Sequence, residues 1–532
     1  MMHAITAMRG MAVAPHALAS QSAVQVLREG GNALEAMIAA AATIAVSYPH
    51  MNGIGGDSFW LVHAPRRAPR GIEACGRAAQ NASREWYAAR GVTAAIPSRG
   101  GLAANTVAGT VSGWQAAFSL SRQWGGRLPM ARLLADAIHY AEHGFPVTKS
   151  QSDTAATKRA ELESQPGFRE TFLPTGAAPA AGAVLKQPCL AATLKRLARA
   201  GLDDFYRGAL ARVMAAELAA LGSPLGLGDF TRHRAKLVKP LALKHSLGNV
   251  YNMPPPTQGV VSLLVLGILD ALEVGRTGPH SPDYVHLAVE ATKRAFAIRD
   301  RHVTDPAYMT VAAQELLTPA HIRAIAADVD RGRAAPWGAG APPAGTVWLG
   351  VIDGNGRAVS AIQSVYHEFG SGVVLQETGI NWQNRGCSFS LDERALNFLR
   401  PGRKPFHTLN PALAAFRDGR TMIYGTMGGD GQPQTQAAIF TRIAVFGMDP
   451  QTAVAAPRWL LGRTWGRASD TLKLESRFPA AVPATLGAYG HEIEILASYD
   501  EAMGHAGAIV RYPNGVLEGG ADPRGDGAVA AF

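Results

Sequence analysis

The stretch "PPAGTVWLGVID", positions 342 to 353, sets a threonine between a Pro- and Gly-bearing segment and an almost unbroken apolar run. If the Gly345–Thr346 bond were cut, Thr346 would carry a free α-amine beside its own hydroxyl, and that amine can serve as the hydroxyl's general base. An α-amine has a pKa of about 7.7 to 8.0, so a useful fraction is unprotonated near neutral pH and no histidine is required. Such a nucleophile must begin a rigid strand and follow a removable connection, and the sequence offers both. On pattern alone, an ordinary threonine at a strand start explains the residue more simply, because β-branched side chains favour strands.

Other chemistries find less support. There is no HExxH and no GxSxG, and the glycine-rich "NGIGGDSFWLV" (52 to 62) lacks GxGxxG spacing and runs into a strand. Cys75, Cys189 and Cys387 are an odd number without a CxxC pair, which argues against a disulfide framework and a structural zinc site.

Composition sets the bounds. With 532 residues, 47% hydrophobic and 17% charged, the chain reads as globular. A net charge of +10 is spread through Ala- and Gly-rich sequence, and the most basic stretch, "RHRAKLVKPLALKH" (232 to 245), alternates with apolar residues. That pattern suits a solvated strand face better than a nucleic-acid groove. The apolar run Ala36 to Val46 is shorter than the roughly 18 residues of a membrane span, and no secretory signal is visible. Cytoplasmic residence is the expectation.

The elements that must position Thr346 follow from periodicity and punctuation. "SQSAVQVLREGG" from Ser20 predicts a helix stopped by Gly30 and Gly31, and "NALEAMIAAAATIAVS" a second, with Asn32 and Glu35 as a capping box. "PMARLLADAIHYAEHG" and "YVHLAVEATKRAFAIRD" read as helices, and "MPPPTQGVVSLLVLGIL" as a proline turn feeding a buried helix. Residues 331 to 345, rich in Ala, Pro and Gly, read as a linker. Strands follow: "TVWLGVID", a hairpin turn at Asn355-Gly356, and "AVSAIQSVY". Residues 412 to 440 read as strand, turn, strand, glycine loop and helix.

Taken together, these segments resemble the gamma-glutamyltransferases, self-cleaving N-terminal-nucleophile (Ntn) amidohydrolases. The likeness spans most of the chain: "LREGGNALEAMIAAAATIAVSYPHMNGIGGDSFW", "NMPPPTQG", "EATKRAFAIRDRHVTDP", "GTVWLGVIDGNGRAVS", "FGSGVVLQETGI", "PFHTLNPAL" and "GTMGGDGQPQTQ". It implies an α/β fold, a four-layer αββα sandwich made as one precursor. The cut before Thr346 would give a large chain, 1 to 345, and a small chain, 346 to 532, which pair as a heterodimer; further pairing of heterodimers is an expectation from the family. Thr346 would act in self-cleavage at Gly345 and in turnover. Gly428 and Gly429 match the oxyanion hole, and Ser364 the hydroxyl that supports the nucleophile.

The substrate pocket departs from the family pattern. The arginine that holds a glutamyl carboxylate falls at Cys75, with Arg77 two residues on, and "NNQMDDF" reads "QNRGCSF". Arg385 thus stands for a glutamine and Ser388 for the aspartate that pairs the substrate ammonium. A Ser-Ser pair reads His407-Thr408, the hairpin asparagine reads Tyr366, and Asn384 is unchanged. A serine cannot pair an ammonium and an added guanidinium repels it, so the charge has moved toward anion binding. The connection from Phe389 to Pro405 is also shorter than in lid-bearing members.

These departures resemble the acylase and oxamate-amidohydrolase branch, and imply hydrolysis of a small carboxylate-bearing amide. Arg77 and Arg385 are the expected carboxylate contacts, with Asn384, Ser388, His407, Thr408 and Tyr366 as walls. No metal, organic cofactor, nucleic acid or membrane partner is expected. The alternatives are a glutathione hydrolase or γ-glutamyl transpeptidase and, from another class, a non-catalytic binding protein that retains the fold.

Overall fold

Alternation along Gly345–Asp353 decides the layering. Val347, Leu349 and Val351 point into one apolar cluster built with helices, whereas Trp348 and Ile352 point into a second cluster shared with another sheet. All nine residues of the strand are buried, as a strand covered on both faces must be. The computed structural model describes residues 3–338, 345–463 and 469–532.

Gly345–Asp353 lies in the middle of a seven-stranded sheet ordered Ala528–Ala531, Gly10–Ala14, Gly345–Asp353, Ala358–Tyr366, Asp57–His63, Arg70–Ala74 and Lys236–Val238. The facing sheet runs Ile5–Ala7, Leu517–Ala521, Ala506–Arg511, Thr421–Thr426, Ala412–Phe416, Gly248–Asn252 and Leu241–His245. Every neighbouring pair in both is antiparallel. Trp348 is the main spacer between the sheets: its indole lies against Gly425 and Gly507 of the facing sheet and donates to Ser360 Oγ at 2.9 Å.

Helices close the sandwich on both outer faces. Ala17–Arg28 and Ala33–Ser47 cover the first sheet, and every residue of the second helix is buried, its alanines letting it lie close to its neighbours. The Asn32–Glu35 capping box forms as expected. The first helix begins at Ala17 rather than Ser20, because His16 Nδ1 accepts from Leu18 N–H at 3.2 Å and serves as its cap. Gly259–Ala271, Pro282–His302 and Gly431–Phe440 cover the facing sheet. Among the described residues, no helix is long and apolar enough to cross a membrane.

Two expectations need correction. The basic stretch 232 to 245 is not one strand face: Arg232 ends a helix, Lys236–Val238 joins the first sheet, and Leu241–His245 joins the other, with Pro240 at the crossing. The front of the supposed linker is also anchored. Ala334 N–H donates to Tyr489 O at 2.7 Å, Ala335 N–H to Glu290 Oε1 at 3.2 Å, and Trp337 packs on Phe296. Residues 339 to 344 lie outside the described residues.

A Cβ on Gly425 would stand 2.2 Å from Trp348 Cδ1, so Gly425→Ala must displace the indole. We expect it to destabilise by about 1–3 kcal/mol in chemical denaturation. Gly487→Ala, which meets nothing within 4 Å on its helix, should be neutral or slightly stabilising.

Candidate active site

The start of the Thr346 strand is irregular. Gly345 pairs with Tyr366 but Val347 pairs with Gln363, so the second strand carries one extra residue between these pairs, a β-bulge. Tyr366 closes it with a φ of +80°, which a bulky residue adopts only when its surroundings force it. At the bulge, Thr346 Oγ1 lies 2.6 Å from Gly345 O and 3.4 Å from Ser364 Oγ. Ser364 Oγ accepts from Tyr366 N–H at 2.8 Å and donates to Gly345 O at 2.5 Å. Two hydroxyls therefore converge on the carbonyl of the Gly345–Thr346 bond.

Thr346 and Trp348, two residues apart, share the face toward the other sheet. Moving from Gly350 to Trp348 along one strand corresponds to moving from Ile423 to Gly425 along the other, so Thr346 lies level with the end of Thr421–Thr426 and the turn beyond it. That turn holds Gly428 and Gly429, at φ +116° and +54°, conformations that glycine adopts without strain. Among the described residues, neither glycine's N–H donates to a protein acceptor, whereas their carbonyls are used: Gly428 O accepts from Gly431 N–H, and Gly429 O from Gln258 Nε2 at 2.9 Å. Two free N–H groups at a helix start are suited to an anion.

The turn is braced by residues that precede Gly345 in the sequence. Gln258 Nε2 also donates to Thr408 O, and Gln258 N–H to His407 O. Arg299 Nη1 donates to Gln258 Oε1 at 3.2 Å and to Asp430 Oδ1 at 2.7 Å in a buried ion pair. The segments "PPPTQG" and "EATKRAFAIRD" thus supply supports rather than reacting groups.

One strand further along the first sheet, Asp57 is the direct partner of Ser364. Its Oδ1 accepts from Gly76 N–H at 2.9 Å and Gly109 N–H at 3.0 Å, while Oδ2 stands 3.6 Å from His407 Nε2 with no hydrogen bond of its own. Burial pushes the Asp57 carboxyl up to about 7, against the pull of Gly76 N–H, Gln383, Gly109 N–H and Arg385. Burial, then Arg385 and Lys404, hold the His407 imidazole well below its ordinary value, so it is neutral. Among the described residues, both His407 ring nitrogens and Thr408 Oγ1 lack hydrogen-bond partners.

Arg385, 3% exposed, lies 3.6 Å from the Tyr366 ring centroid. Among the described residues, no carboxylate lies within ion-pair distance of it, and burial lowers its pKa. Asn384 is fully used as a brace, donating to Ser98 O at 2.8 Å and accepting from His367 N–H at 3.1 Å. Ser388 Oγ turns back onto Arg385 O at 2.9 Å. Arg77 is not brought to Arg385: it is half exposed, donates to Gly402 O, and lines a separate cavity that Arg385 does not reach. Cys75, at the family's arginine position, is buried with its thiol pKa pushed up by burial and Glu73.

Sequence reasoning missed Asp57, because a carboxylate after a glycine turn carries no signal until its strand partner is known. It also missed a grouping of His286, Glu290 and His491, whose ligand atoms lie within 4.8 Å of one another, since His491 comes from 205 residues away. That group is satisfied internally: His286 Nε2–H donates to Asp330 O and Nδ1 accepts from His491 Nε2, both at 2.8 Å, while Glu290 pairs with Lys293.

Two stacked antiparallel sheets between helical layers, with a strand-initial threonine at the end of the inter-sheet space, define the Ntn-hydrolase architecture. The gamma-glutamyltranspeptidase family profile matches residues 19–532, and the chain belongs to that family, as an amidohydrolase or acyltransferase of the Ntn class. It is similar to the oxamate amidohydrolase proenzyme of Klebsiella pneumoniae, 58% identical over 524 residues that cover 98% of each chain. It is also similar to the glutathione hydrolase proenzyme of Escherichia coli, 28% identical over 547 residues covering 98% of this chain and 91% of that one. Among solved structures, cephalosporin acylase from Bacillus halodurans superimposes with a TM-score of 0.90 at 34% identity, over 100% of this chain and 97% of that one.

The raised Asp57 carboxyl has a measurable consequence. The folded chain keeps a proton that the unfolded chain loses between about pH 4 and 7, so Asp57 lowers stability as pH rises through that window. Asp57→Asn keeps the acceptor for Gly76 and Gly109 and removes the titration. Its stability relative to the parent should therefore improve from pH 5 to 7 by roughly 1.4 kcal/mol per pH unit. Parallel stability curves for the two proteins would exclude a raised carboxyl.

Proposed function

We propose that the chain cleaves itself between Gly345 and Thr346 and then hydrolyses the amide of a small anionic acyl donor of the oxamate kind through an acyl-enzyme on Thr346. The observation that carries the anionic substrate is Arg385, a buried guanidinium with no carboxylate partner beside the unpartnered polar atoms of His407 and Thr408. A buried charge left alone is costly, and a substrate carboxylate supplies the missing partner. The 58% identity to an oxamate amidohydrolase proenzyme favours the same substrate class.

In self-cleavage, Thr346 Oγ1 attacks the Gly345 carbonyl carbon, the C–O bond forms as the C–N bond breaks, and the hydroxyl proton passes to the departing nitrogen, which becomes the free α-amine. Ser364, already donating to Gly345 O, stabilises the charge that grows on that oxygen. Water then opens the ester to give a Gly345 carboxylate and a free Thr346 hydroxyl. In turnover the α-amine takes the hydroxyl proton as Oγ1 attacks the amide carbon. The N–H groups of Gly428 and Gly429 hold the oxyanion, and ammonia leaves with the proton returned from the α-ammonium. Water deacylates the enzyme; from oxamate, the products are oxalate and ammonium.

Arg385 is the carboxylate contact in this reading. Tyr366, Asn384, Ser388, His407 and Thr408 form the walls, and Arg77 is left to the adjoining cavity. The glutathione-hydrolase reading lacks a carboxylate at position 388 for the donor ammonium. The two chains should stay together as a heterodimer after the cut, because strands from both alternate in the first sheet.

Wild-type protein should run as two bands on a denaturing gel, and Thr346→Ala as one full-length band without activity; a processed, active Thr346→Ala would end the assignment. Arg385→Gln should raise the KM for oxamate about 10- to 100-fold, the loss of one charge-assisted hydrogen bond set, with a smaller change in kcat. Release of ammonia from oxamate should exceed release of amine from a γ-glutamyl anilide. A strong preference for the anilide would overturn the pocket argument.

A further inference from the structure

The end of the sheet that carries Thr346 continues into a second feature. Ser364 pairs with Asp57, Ser58 with Ala74, and Glu73 with Lys236, so Thr346, Ser364, Asp57, Glu73 and Lys236 lie along one end of the sheet. Neighbouring strands are about 4.8 Å apart, which puts Lys236, four strands away, roughly 19 Å from Thr346. A cavity of about 370 Å³ opens there, running from Cys75, three strands or roughly 14 Å from Thr346, out to Lys236, and is within the size range of small-molecule sites.

Its wall is strongly cationic. Arg77, Arg232, Arg234, Lys236 and Lys404 face it together with two acids, Glu73 and Asp229. Lys404 neutralises Glu73 in a buried pair, and Arg232 neutralises Asp229 at 2.8 Å. Three cations remain. Arg234 Nη1 is held by the carbonyls of Thr231 and His233, both at 2.8 Å. Arg77, half exposed, donates to Gly402 O and makes a long ion pair with Asp305 at 3.9 Å, outside the cavity lining. Among the described residues, Lys236 has no carboxylate within ion-pair distance. His233, also in the wall, bonds Ser112 Oγ and is neutral, with burial lowering it to about 3.

We propose that this cavity is a second, separate binding site for a small multivalent oxyanion, a polycarboxylate or a phosphate. Three guanidinium and ammonium groups around one concavity supply more positive charge than a monoanion of oxamate's size uses, and they match a di- or trianion. An oxamate molecule at Thr346 is only a few ångströms long and cannot reach a cavity whose nearest wall, at Cys75, lies roughly 14 Å along the sheet edge, so both ligands are held at once. The site does not depend on Thr346 chemistry, and it goes beyond the reaction proposed above.

The test titrates the processed enzyme with citrate and, separately, with inorganic phosphate, at constant ionic strength set with sodium chloride, by calorimetry. We expect saturable one-to-one binding of at least one of them, weakened at least tenfold in Arg234→Gln/Lys236→Gln. Both side chains are exposed, so the variant folds, and oxamate turnover within twofold of the parent confirms that it does. The tighter of the two probes identifies the ligand chemistry. Binding that the double variant leaves unchanged, absence of saturable binding by either probe, or purely competitive inhibition of oxamate turnover by the anion that binds would overturn the proposal.

Discussion

Everything in this structure depends on holding one peptide bond against two hydroxyls. Gly345 O receives Ser364 Oγ at 2.5 Å and lies 2.6 Å from Thr346 Oγ1, at a bulge that only the pairing of two long buried strands keeps in place. A threonine loose in a loop would sample many rotamers and seldom face that carbonyl. Thr346 instead inherits its orientation from Trp348 two residues on, wedged between sheets against Gly425 and Gly507. The same alternation that buries Val347 among helices turns Thr346 toward the other sheet, where the Gly428–Gly429 turn presents free N–H groups. The rigidity of the core therefore supplies the effective concentration that the chemistry needs.

The second constraint is electrostatic. Arg385, Asp57 and His407 are all nearly inaccessible to water, yet among the described residues none of them completes an ion pair with good geometry: the one close approach there is 3.6 Å between a raised carboxyl and a neutral imidazole. Elsewhere the protein does complete such contacts: Arg299–Asp430 and Arg524–Glu475 are fully buried pairs with short, hydrogen-bonded geometry. A chain able to satisfy buried charges in its supports, but leaving them open beside Thr346, has a site whose remaining partner is a ligand.

Much of this was legible in the sequence because the signals are local. The Asn32–Glu35 capping box, the Asn355-Gly356 hairpin, the buried helix after "PPPTQG" and the strand beginning at Thr346 each rest on neighbours within a few residues. The failures are of two kinds. His16 caps a helix although histidine is an uncommon cap, and residues 331 to 338 carry no pattern yet dock through backbone groups and Trp337, contacts that periodicity does not encode. The site's long-range geometry was the other gap. Asp57 matters because register sets it opposite Ser364, and Arg77 falls away from Arg385 because the chain after Cys75 turns outward toward Gly402.

Topology also shows how a chain cut after Gly345 would hold together. In the first sheet Ala528–Ala531, Gly345–Asp353 and Ala358–Tyr366 lie after residue 345, while Gly10–Ala14, Asp57–His63, Arg70–Ala74 and Lys236–Val238 lie before it. Gly10–Ala14 is sandwiched between two strands of the later segment, and Asp57–His63 pairs directly with Ala358–Tyr366. Separating the segments would break these three ladders and two more in the facing sheet, Ile5–Ala7 with Leu517–Ala521 and Gly248–Asn252 with Ala412–Phe416, and expose the inter-sheet core around Trp348. The hydrophobic and hydrogen-bond terms that fold the uncut chain would therefore hold a cut one, so scission after Gly345 would create two new termini and leave the layers in place. Each of the three large apolar clusters draws side chains from both sides of Gly345, so neither segment would leave with its core complete.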